Sequence, residues 1–340
     1  MVKERIIWID FLKLVAIYLV VLGHVILYTG PNGQDAMRNN PICVFIYSFH
    51  MPLFMTISGF FSHKLLIGQG DIKKKFQQLI IPCISLGIVC LIFNIHTLNF
   101  WYLKSLFICY TVWDCFFILF RKKLWAGIIL FVIIGVIFFP LLTKIPYLST
   151  YKVDFMLPFF GLGILIYHYK DRISNHISKL AVLFTILFII GLIQWNASYI
   201  WYFSKPSWID YKLLIFNKEL VIDFTTFWQT IWRYAVGILG SCSILFSCWV
   251  INKNLKLGGV ISRLGKYGRY SLHIYIIQSF LVELNPFRIN FPTINMNLYN
   301  YIYAPLFAFL TVIICILIAK ILEKNKYIAF AFFGKSFNSK

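Results

Sequence analysis

Two histidines in the first two apolar segments could carry out chemistry inside a membrane. His24 follows Gly23 near the end of the first segment, and His50 lies two residues before Pro52 in the second. A neutral imidazole can take a proton from a hydroxyl group, and in a transporter it can relay protons or contact cargo. Because the two segments run antiparallel across a short connection, we predict that both histidines line one shared cavity in the outer half of the membrane.

Asp10 and Lys13 share the helix stripe of His24. At about 100° per residue, the three side chains fall within about 60° of one another. Ionisable groups are costly in lipid, so this stripe must face protein or water. The simpler alternative is a buried Asp10–Lys13 ion pair beside a hydrogen-bonded core histidine. Both residues lie about 16 to 21 Å along the axis from His24, which places them near the cytoplasmic mouth.

The second segment also predicts an irregular helix that packs closely on a neighbour. Pro52 removes a backbone donor, so we expect the helix to kink or open beside His50. Such backbone is tolerated at membrane depth only where protein or a water-filled cavity surrounds it. The small pair Ser58-Gly59 predicts a close helix approach.

Transmembrane helices must position these residues. The 340 residues are 60% hydrophobic and 13% charged, which is too apolar for an ordinary water-soluble globule. We predict an all-α polytopic membrane protein, a bundle of about ten transmembrane helices that forms a single domain over 1–340. Its core is 5–322 and its short C-terminal tail is 323–340. The predicted spans are 5–28, 42–61, 79–94, 100–120, 124–142, 155–169, 180–195, 227–251, 272–284 and 301–321.

The charge distribution predicts the orientation. The N-terminal side contains 22 Lys and Arg residues and the other side contains 7, with Lys13, Lys104 and Arg233 inside spans. This asymmetry places both termini in the cytoplasm. Anionic membrane lipids account for most of the net charge of +20, so no nucleic-acid partner is expected. The cysteines and remaining histidines lack metal-ligand spacing, and we predict no metal.

Several sequence motifs follow in order. They are Trp8-x-Asp10-x-x-Lys13 with Gly23-His24, Phe49-His50-Met51-Pro52-Leu53-Phe54 with Ser58-Gly59-Phe60, Ile80-Ile81-Pro82, Phe100-Trp101-Tyr102-Leu103, and Leu264-Gly265-Lys266-Tyr267 with Ser271-Leu272-x-Ile274-Tyr275. Together they resemble the integral-membrane acyltransferase-3 family. The resemblance spans residues 5 to 278 and extends to the ten-span layout.

The resemblance implies an enzyme that acylates surface sugars and related acceptors. It implies a catalytic role for His24, which is our candidate general base, while His50 would position or polarise a substrate. Lys13 stands where the family usually has an arginine, and Gln278 stands where it often has a histidine. These departures leave the substrate open, so both acetyl and succinyl donors fit. The acceptor, the face of the membrane used and the oligomeric state are also open.

Further residues are assigned to substrate or to acyl-coenzyme A, the expected co-substrate. We predict substrate contacts at Asp10, Lys13, Trp101, Tyr102, Lys104 and Arg233. We predict contacts with coenzyme A phosphates at Lys73, Lys74, Lys75, Arg263 and Lys266. For Lys73, Lys74 and Lys75, the alternative is ordinary anchoring by the positive-inside rule. For the charged residues near the outer ends of the spans, the alternative is structural ion pairs that stabilise the bundle. Asp114, Asp154 and Glu283 receive no role.

A transporter or exporter of a glycan or small solute is the competing function, in which the same histidines couple protons or contact cargo. Inverted repeats would favour it, and none is evident in the sequence. A membrane scaffold is a third class, but it leaves the polar stripe of the first span unexplained. We therefore expect a multi-pass enzyme of the cytoplasmic (inner) cell membrane. It would transfer an acyl group from cytoplasmic acyl-coenzyme A to a glycan or lipid-linked sugar hydroxyl.

Overall fold

A computed structural model describes most of the chain. The described residues are 6–31, 38, 40–63, 69–95, 98, 100–119, 152–200, 209–213, 218–222, 224–253, 255–286, 289, 291 and 295–336. The predicted span 124–142 lies outside the described residues, as does the side chain of Asp154.

Helices make up nearly all of the described regular structure. In the first half they are α1 (Ile7–Thr29), α2 (Pro41–Phe60), α3 (Gln69–Ile92), α4 (Trp101–Leu119), α5 (Val153–His168), α6 (Lys170–Asn175) and α7 (Ile177–Ile193). In the second half they are α8 (Phe224–Lys253), α9 (Leu255–Gly265), α10 (Ser271–Gln278), α11 (Met296–Leu298), α12 (Ala304–Leu322) and α13 (Lys326–Phe333). The 3-10 turns are Phe61–His63, Ala197–Tyr199 and Lys266–Tyr270, and the π-helical turns are Ser279–Glu283 and Tyr299–Tyr303.

Five described helical segments are long and apolar enough to cross a bilayer. They are Ile7–Thr29, Pro41–Phe60, Ile72–Ile92, Trp228–Lys253 and Met296–Leu322, and the shorter apolar helices are Phe155–His168 and Ile177–Ile193. The chain is therefore a helical multi-pass membrane protein, as predicted. The count of ten spans and the cytoplasmic location of both termini stay predictions.

Helix α1 lies in the middle of the bundle. It packs against α2, α9, α10, α12 and the turn Lys266–Tyr270. Near its start, Trp8 stacks on Trp249 of α8 with ring centroids 5.3 Å apart. Ala16, Val21 and Val25 have no exposed surface. This central place explains how one helix can carry Asp10, Lys13 and His24, because neighbouring helices shield its polar stripe.

Helices α2 and α5 meet through glycine. A Cβ added at Gly59 would lie 1.9 Å from the carbonyl oxygen of Phe160, and one added at Gly163 would lie 1.9 Å from that of Thr56. Only glycine allows this approach, so the close packing predicted for Ser58-Gly59 is confirmed. Helix α2 continues without interruption through Pro52.

Two local predictions need correction. The third span was predicted to begin at residue 79, which leaves 62–78 as a connection, but α3 begins at Gln69, so Lys73, Lys74 and Lys75 are helical and Pro82 lies inside the helix. The reason is that Gln and Lys favour helix, and Ile72 and Phe76 repeat at helical spacing.

A hairpin is the second departure from the prediction. Strands β1 (Ile209–Leu213) and β2 (Lys218–Ile222) pair antiparallel within the long connection after α7, with Ile209 opposite Ile222. The all-α prediction did not include it.

Candidate active site

The ring of His24 is held by one side chain from the last residue of α10 and one from the π-helical turn that follows it. Its Nδ1 lies 3.0 Å from Oε1 of Gln278 and 3.3 Å from Oε1 of Glu283. Glu283 also accepts hydrogen bonds from Nε2 of Gln278 at 3.0 Å and from the hydroxyl of Ser279 at 2.5 Å. The carboxylate is therefore fixed by three neighbours, and it fixes the histidine in turn.

These contacts determine which nitrogen of His24 carries the proton. Gln278 directs its amide nitrogen to Glu283 and to the carbonyl of Tyr275, so its oxygen is the group that faces His24. Both partners of Nδ1 are thus acceptors, and Nδ1 must donate. The neutral ring then presents an unprotonated Nε2, which is the arrangement of a histidine base oriented by a carboxylate.

The π-helical turn Ser279–Glu283 allows these contacts. A π turn changes the direction of the side chains that follow it, and such turns are frequent at functional sites. The sequence analysis left Glu283 without a role and noted Gln278 only as a departure from a family pattern. Neither residue has a spacing that links it to His24, because the contact joins opposite ends of the chain.

His50 is held in the same tautomeric state by its own helix. Its Nδ1 lies 2.7 Å from the carbonyl oxygen of Ile46, which can only accept, so Nδ1 donates. The ring packs edge-to-face on Tyr47 with centroids 4.7 Å apart and is 5% exposed. While neutral, His50 therefore also presents Nε2 as an acceptor.

One cavity of about 360 Å³ contains both histidines, and we call it the histidine cavity. The prediction that the two rings share a cavity is confirmed. Its lining includes His24, His50, Trp101, Lys152, Trp195, Tyr199 and Glu283. The ammonium of Lys152 lies over the ring of Trp101, 4.5 Å from its centroid, and the rings of Trp195 and Tyr199 stack with centroids 5.5 Å apart. Among the described residues of this lining, Lys152 is the sole Lys or Arg, and no role was predicted for it from the sequence.

A second cavity of about 1060 Å³, the basic cavity, lies toward the start of α1. Lys13, Lys74, Arg269 and Lys335 line it, and no Asp or Glu is among its lining residues in the described part of the chain. Lys13, predicted to contact substrate, and Lys74, predicted to contact coenzyme A, thus line the same cavity. Arg269 and Lys335 were not predicted. The Asp10–Lys13 ion pair, the simpler alternative given for these two residues, is present at 3.1 Å, and the Lys13 ammonium also lies over the ring of Phe61.

The two cavities share part of their lining. Among the described residues, Val20, Met51 and Tyr275 line both of them, and we call these three side chains the layer between the cavities. Polar groups along one stripe of α1 thus reach both cavities, with Lys13 in one and His24 in the other.

Several other predicted site residues lie elsewhere. Tyr102 lines the basic cavity rather than the histidine cavity, and its hydroxyl lies 3.3 Å from that of Ser58. Lys104 lines neither cavity. Arg233 is 1% exposed and donates to the backbone carbonyls of Tyr199 and Ser198, at 2.5 and 3.2 Å. It supports the wall formed by Trp195–Ile200 instead of facing the cavity.

Most of the residues predicted to contact coenzyme A also lie outside the basic cavity. Lys73 and Arg263 are exposed and line neither cavity, and Lys75 lies over the ring of Tyr110 at 4.2 Å. Lys266 lines a smaller cavity of about 330 Å³ that also contains Asp10 and Arg269. Of the five predicted coenzyme A contacts, only Lys74 lines the basic cavity.

These features define a class: a helical membrane protein whose polar core joins a basic cavity to one containing an oriented histidine. The chain belongs to the acyltransferase-3 family, because the profile of that family, described as an acyltransferase domain, matches residues 6–320. It is thus a membrane acyltransferase.

The chain is also similar to two nodulation proteins. The nodulation protein NolL of Mesorhizobium japonicum is 24% identical over 301 residues, which cover 81% of this chain and 76% of the relative. The nodulation protein NolL of Sinorhizobium fredii is 36% identical over 83 residues, which cover 24% of this chain and 23% of the relative. No solved structure matches the chain.

Proposed function

We propose that the protein transfers an acetyl or succinyl group from cytoplasmic acyl-coenzyme A to a hydroxyl of a cell-surface or exported glycan, or of its lipid-linked precursor. The site of action would be the cytoplasmic (inner) membrane. The observation that carries the proposal is the meeting of the basic and histidine cavities at Val20, Met51 and Tyr275. A donor with phosphates at one end and a thioester at the other suits this arrangement, with its phosphates in the basic cavity and its thioester in the histidine cavity.

The basic cavity suits the nucleotide end of the donor. Lys13, Lys74, Arg269 and Lys335 offer positive charge to its phosphates. Lys13 precedes His24 by eleven residues, or about 16 Å along the helix. An extended acyl-carrying arm would cover this distance, pass the layer of Val20, Met51 and Tyr275, and present the thioester to His24.

In the proposed reaction His24 is the general base. Its Nε2 accepts the proton of the acceptor hydroxyl while the hydroxyl oxygen bonds to the thioester carbonyl carbon. The carbon–sulfur bond then breaks, and the imidazolium returns the proton to the leaving thiolate. The products are an ester and free coenzyme A. Glu283 keeps the ring in the reactive tautomer and stabilises the imidazolium.

His50 and Lys152 have complementary roles in this proposal. The Nδ1–H of His50 is occupied by Ile46, so the neutral ring can accept a hydrogen bond from an acceptor hydroxyl but has no N–H left for a carbonyl. We therefore assign His50 to positioning. Lys152 provides a positive charge near the negative oxygen that develops during attack.

The aromatic lining of the histidine cavity supports a sugar acceptor. Trp101, Trp195 and Tyr199 contribute flat apolar faces, while His24 and His50 contribute hydrogen-bond acceptors. Sugar rings combine apolar faces with hydroxyl groups, and this lining matches both. The same residues would bind cargo in a transporter, so the test must measure chemistry.

Transfer of radiolabel from acetyl- and succinyl-coenzyme A by the purified protein in liposomes tests the proposal. The glycan fraction of the source cells is the acceptor. His24→Ala should abolish labelling, while His176→Ala, an exposed histidine between α6 and α7, should keep it. Labelling that survives His24→Ala would refute the base assignment. Absence of both labelling and coenzyme A binding would favour the transporter.

A further inference from the structure

We propose that the C-terminal segment 323–336 forms a wall of the donor site, and that Lys335 in it binds the phosphates of coenzyme A. This inference rests on the proposed function and extends it to a part of the chain predicted only as a tail. Nothing in the spacing of the segment pointed to a site.

The segment has a defined structure. The side chain of Asn325 accepts hydrogen bonds from the backbone N–H groups of Tyr327 and Ile328, which caps the start of α13. At the other end, Gly334 has a φ of +61°, and its N–H bonds to the carbonyl of Phe330 at 3.0 Å. The N–H of Lys335 bonds to the carbonyl of Ala329 at 3.1 Å. This glycine-terminated end fixes the direction of Lys335.

The segment is also docked on two helices that line the basic cavity. A Cβ added at Gly334 would lie 2.3 Å from the carbonyl oxygen of Gln77 in α3, so only glycine fits against that helix. The amide of Gln77 donates to the carbonyl of Gly334 at 3.2 Å. On α10, the ring of His273 lies 4.1 Å from that of Phe333, which is 3% exposed.

This docking places four tail residues in the cavity wall. They are Phe333, Gly334, Lys335 and Ser336. Lys335 thereby joins Lys13 of α1, Lys74 of α3 and Arg269 of the turn before α10, so four separate elements each supply one cation. A cavity whose described lining contains four cations and no carboxylate suits a ligand with several negative charges.

One carboxylate outside the cavity lining forms an ion pair with Lys335 and partly neutralises its charge. Its ammonium lies 2.5 Å from Oε1 of Glu323, which also contacts Nε2 of His273 at 2.7 Å. The Lys335 side chain is still 42% exposed, so further hydrogen-bond directions of the ammonium are accessible. Glu323 holds Lys335 at the cavity wall and partly neutralises it, which makes the two residues distinguishable by experiment.

Binding of coenzyme A to the purified full-length protein, measured by calorimetry in a neutral detergent, tests the proposal. Lys335→Gln should weaken binding about fivefold, the effect expected for one partly exposed charge. Lys326→Gln removes an exposed lysine at the start of α13, in the same C-terminal segment, and should leave affinity unchanged. Glu323→Gln should bind at least as tightly as the wild type, because it frees the charge of Lys335.

A purely structural role predicts the opposite for Glu323. If the ion pair mattered only for folding, Glu323→Gln and Lys335→Gln would weaken binding alike, and that result would overturn the proposal. Gly334→Ala keeps every charge but disturbs the docking on α3, and it should also weaken binding. Equal affinity of Lys335→Gln and Lys326→Gln for coenzyme A would likewise refute the proposal.

Lipid headgroups are the other source of phosphate. In nanodiscs of phosphatidylcholine alone, the loss for Lys335→Gln should persist. A loss that occurs only with phosphatidylglycerol would show that Lys335 binds lipid instead. Finally, a wild-type protein that binds no coenzyme A would defeat the proposed function itself, whereas wild-type binding with no effect at Lys335 would defeat only this inference.

Discussion

Glu283 and His24 come from opposite ends of the chain, yet Oε1 of one lies 3.3 Å from Nδ1 of the other. Gln278 bridges them, since its oxygen faces the histidine and its nitrogen faces the carboxylate. The proposed base is therefore held jointly by the first span, by the last residue of α10 and by the π-helical turn that follows it. Removing either side should disable the same chemical step.

Glu283→Gln is the most direct test of this pair. The amide keeps the shape of the carboxylate but loses the charge that stabilises the imidazolium, so we expect kcat to fall about 100-fold or more. The KM for acyl-coenzyme A should change little, because we propose that its phosphates bind in the basic cavity. Initial rates with labelled donor measure both. An unchanged kcat would mean that the pair is structural.

Met51→Ala tests the layer between the cavities. Shortening this side chain should widen the passage, so longer acyl groups should gain about tenfold in kcat/KM relative to acetyl, the usual scale of discrimination by a few methylene groups. Met156→Ala is the matched control, because Met156 lines the histidine cavity alone. Rates with donors of two to six acyl carbons are the measurement. The same profile for both variants would argue against a selective layer.

Arg233→Lys separates a structural role from substrate binding. Lysine cannot reproduce the two hydrogen bonds to the carbonyls of Ser198 and Tyr199, so the wall of the histidine cavity should loosen. We expect a loss of about 2 kcal/mol in unfolding free energy and a higher KM for the acceptor. Thermal unfolding and acceptor titrations test this. A lower kcat at unchanged Tm would instead place Arg233 in contact with substrate.

Glu323 gives a pH prediction for the C-terminal segment. Burial raises its pKa, but hydrogen bonds from His273 and Lys335 outweigh burial and lower the pKa from 4.5 to about 2. A folded-state pKa below the unfolded value stabilises the fold above about pH 4.5, and this contribution is lost as the pH falls toward 2. Wild type should therefore have a higher Tm than Glu323→Gln at pH 7. That difference should shrink on acidification, whereas a constant difference would contradict the prediction.

The sequence could predict what depends on local spacing. The Asp10–Lys13 pair follows from the helical repeat, and the shared cavity of His24 and His50 follows from two antiparallel spans joined by a short connection. The contact of Gly59 with α5 follows from the small size of the residue. Each of these depends on one element or on neighbouring elements, for which periodicity is informative.

Contacts between distant segments could not be predicted in this way. Glu283 reaches His24 only because a π-helical turn redirects its side chain, and no residue pattern marked that turn. Lys335 enters the basic cavity because Gly334 docks against Gln77. Tyr102 was predicted to contact substrate together with Trp101, but Tyr102 lines the basic cavity whereas Trp101 lines the histidine cavity. Tertiary packing decides all three.

The layer of Val20, Met51 and Tyr275 has an electrical consequence. If water fills the cavities on both sides, most of the membrane potential falls across these three side chains instead of across the full bilayer. A unit charge that crosses such a layer exchanges about 2.3 kcal/mol with a potential of 100 mV. Any charged acyl group that passes Met51 would therefore move with or against the electric field. Turnover with succinyl donors would then depend on the membrane potential, whereas turnover with acetyl donors would not.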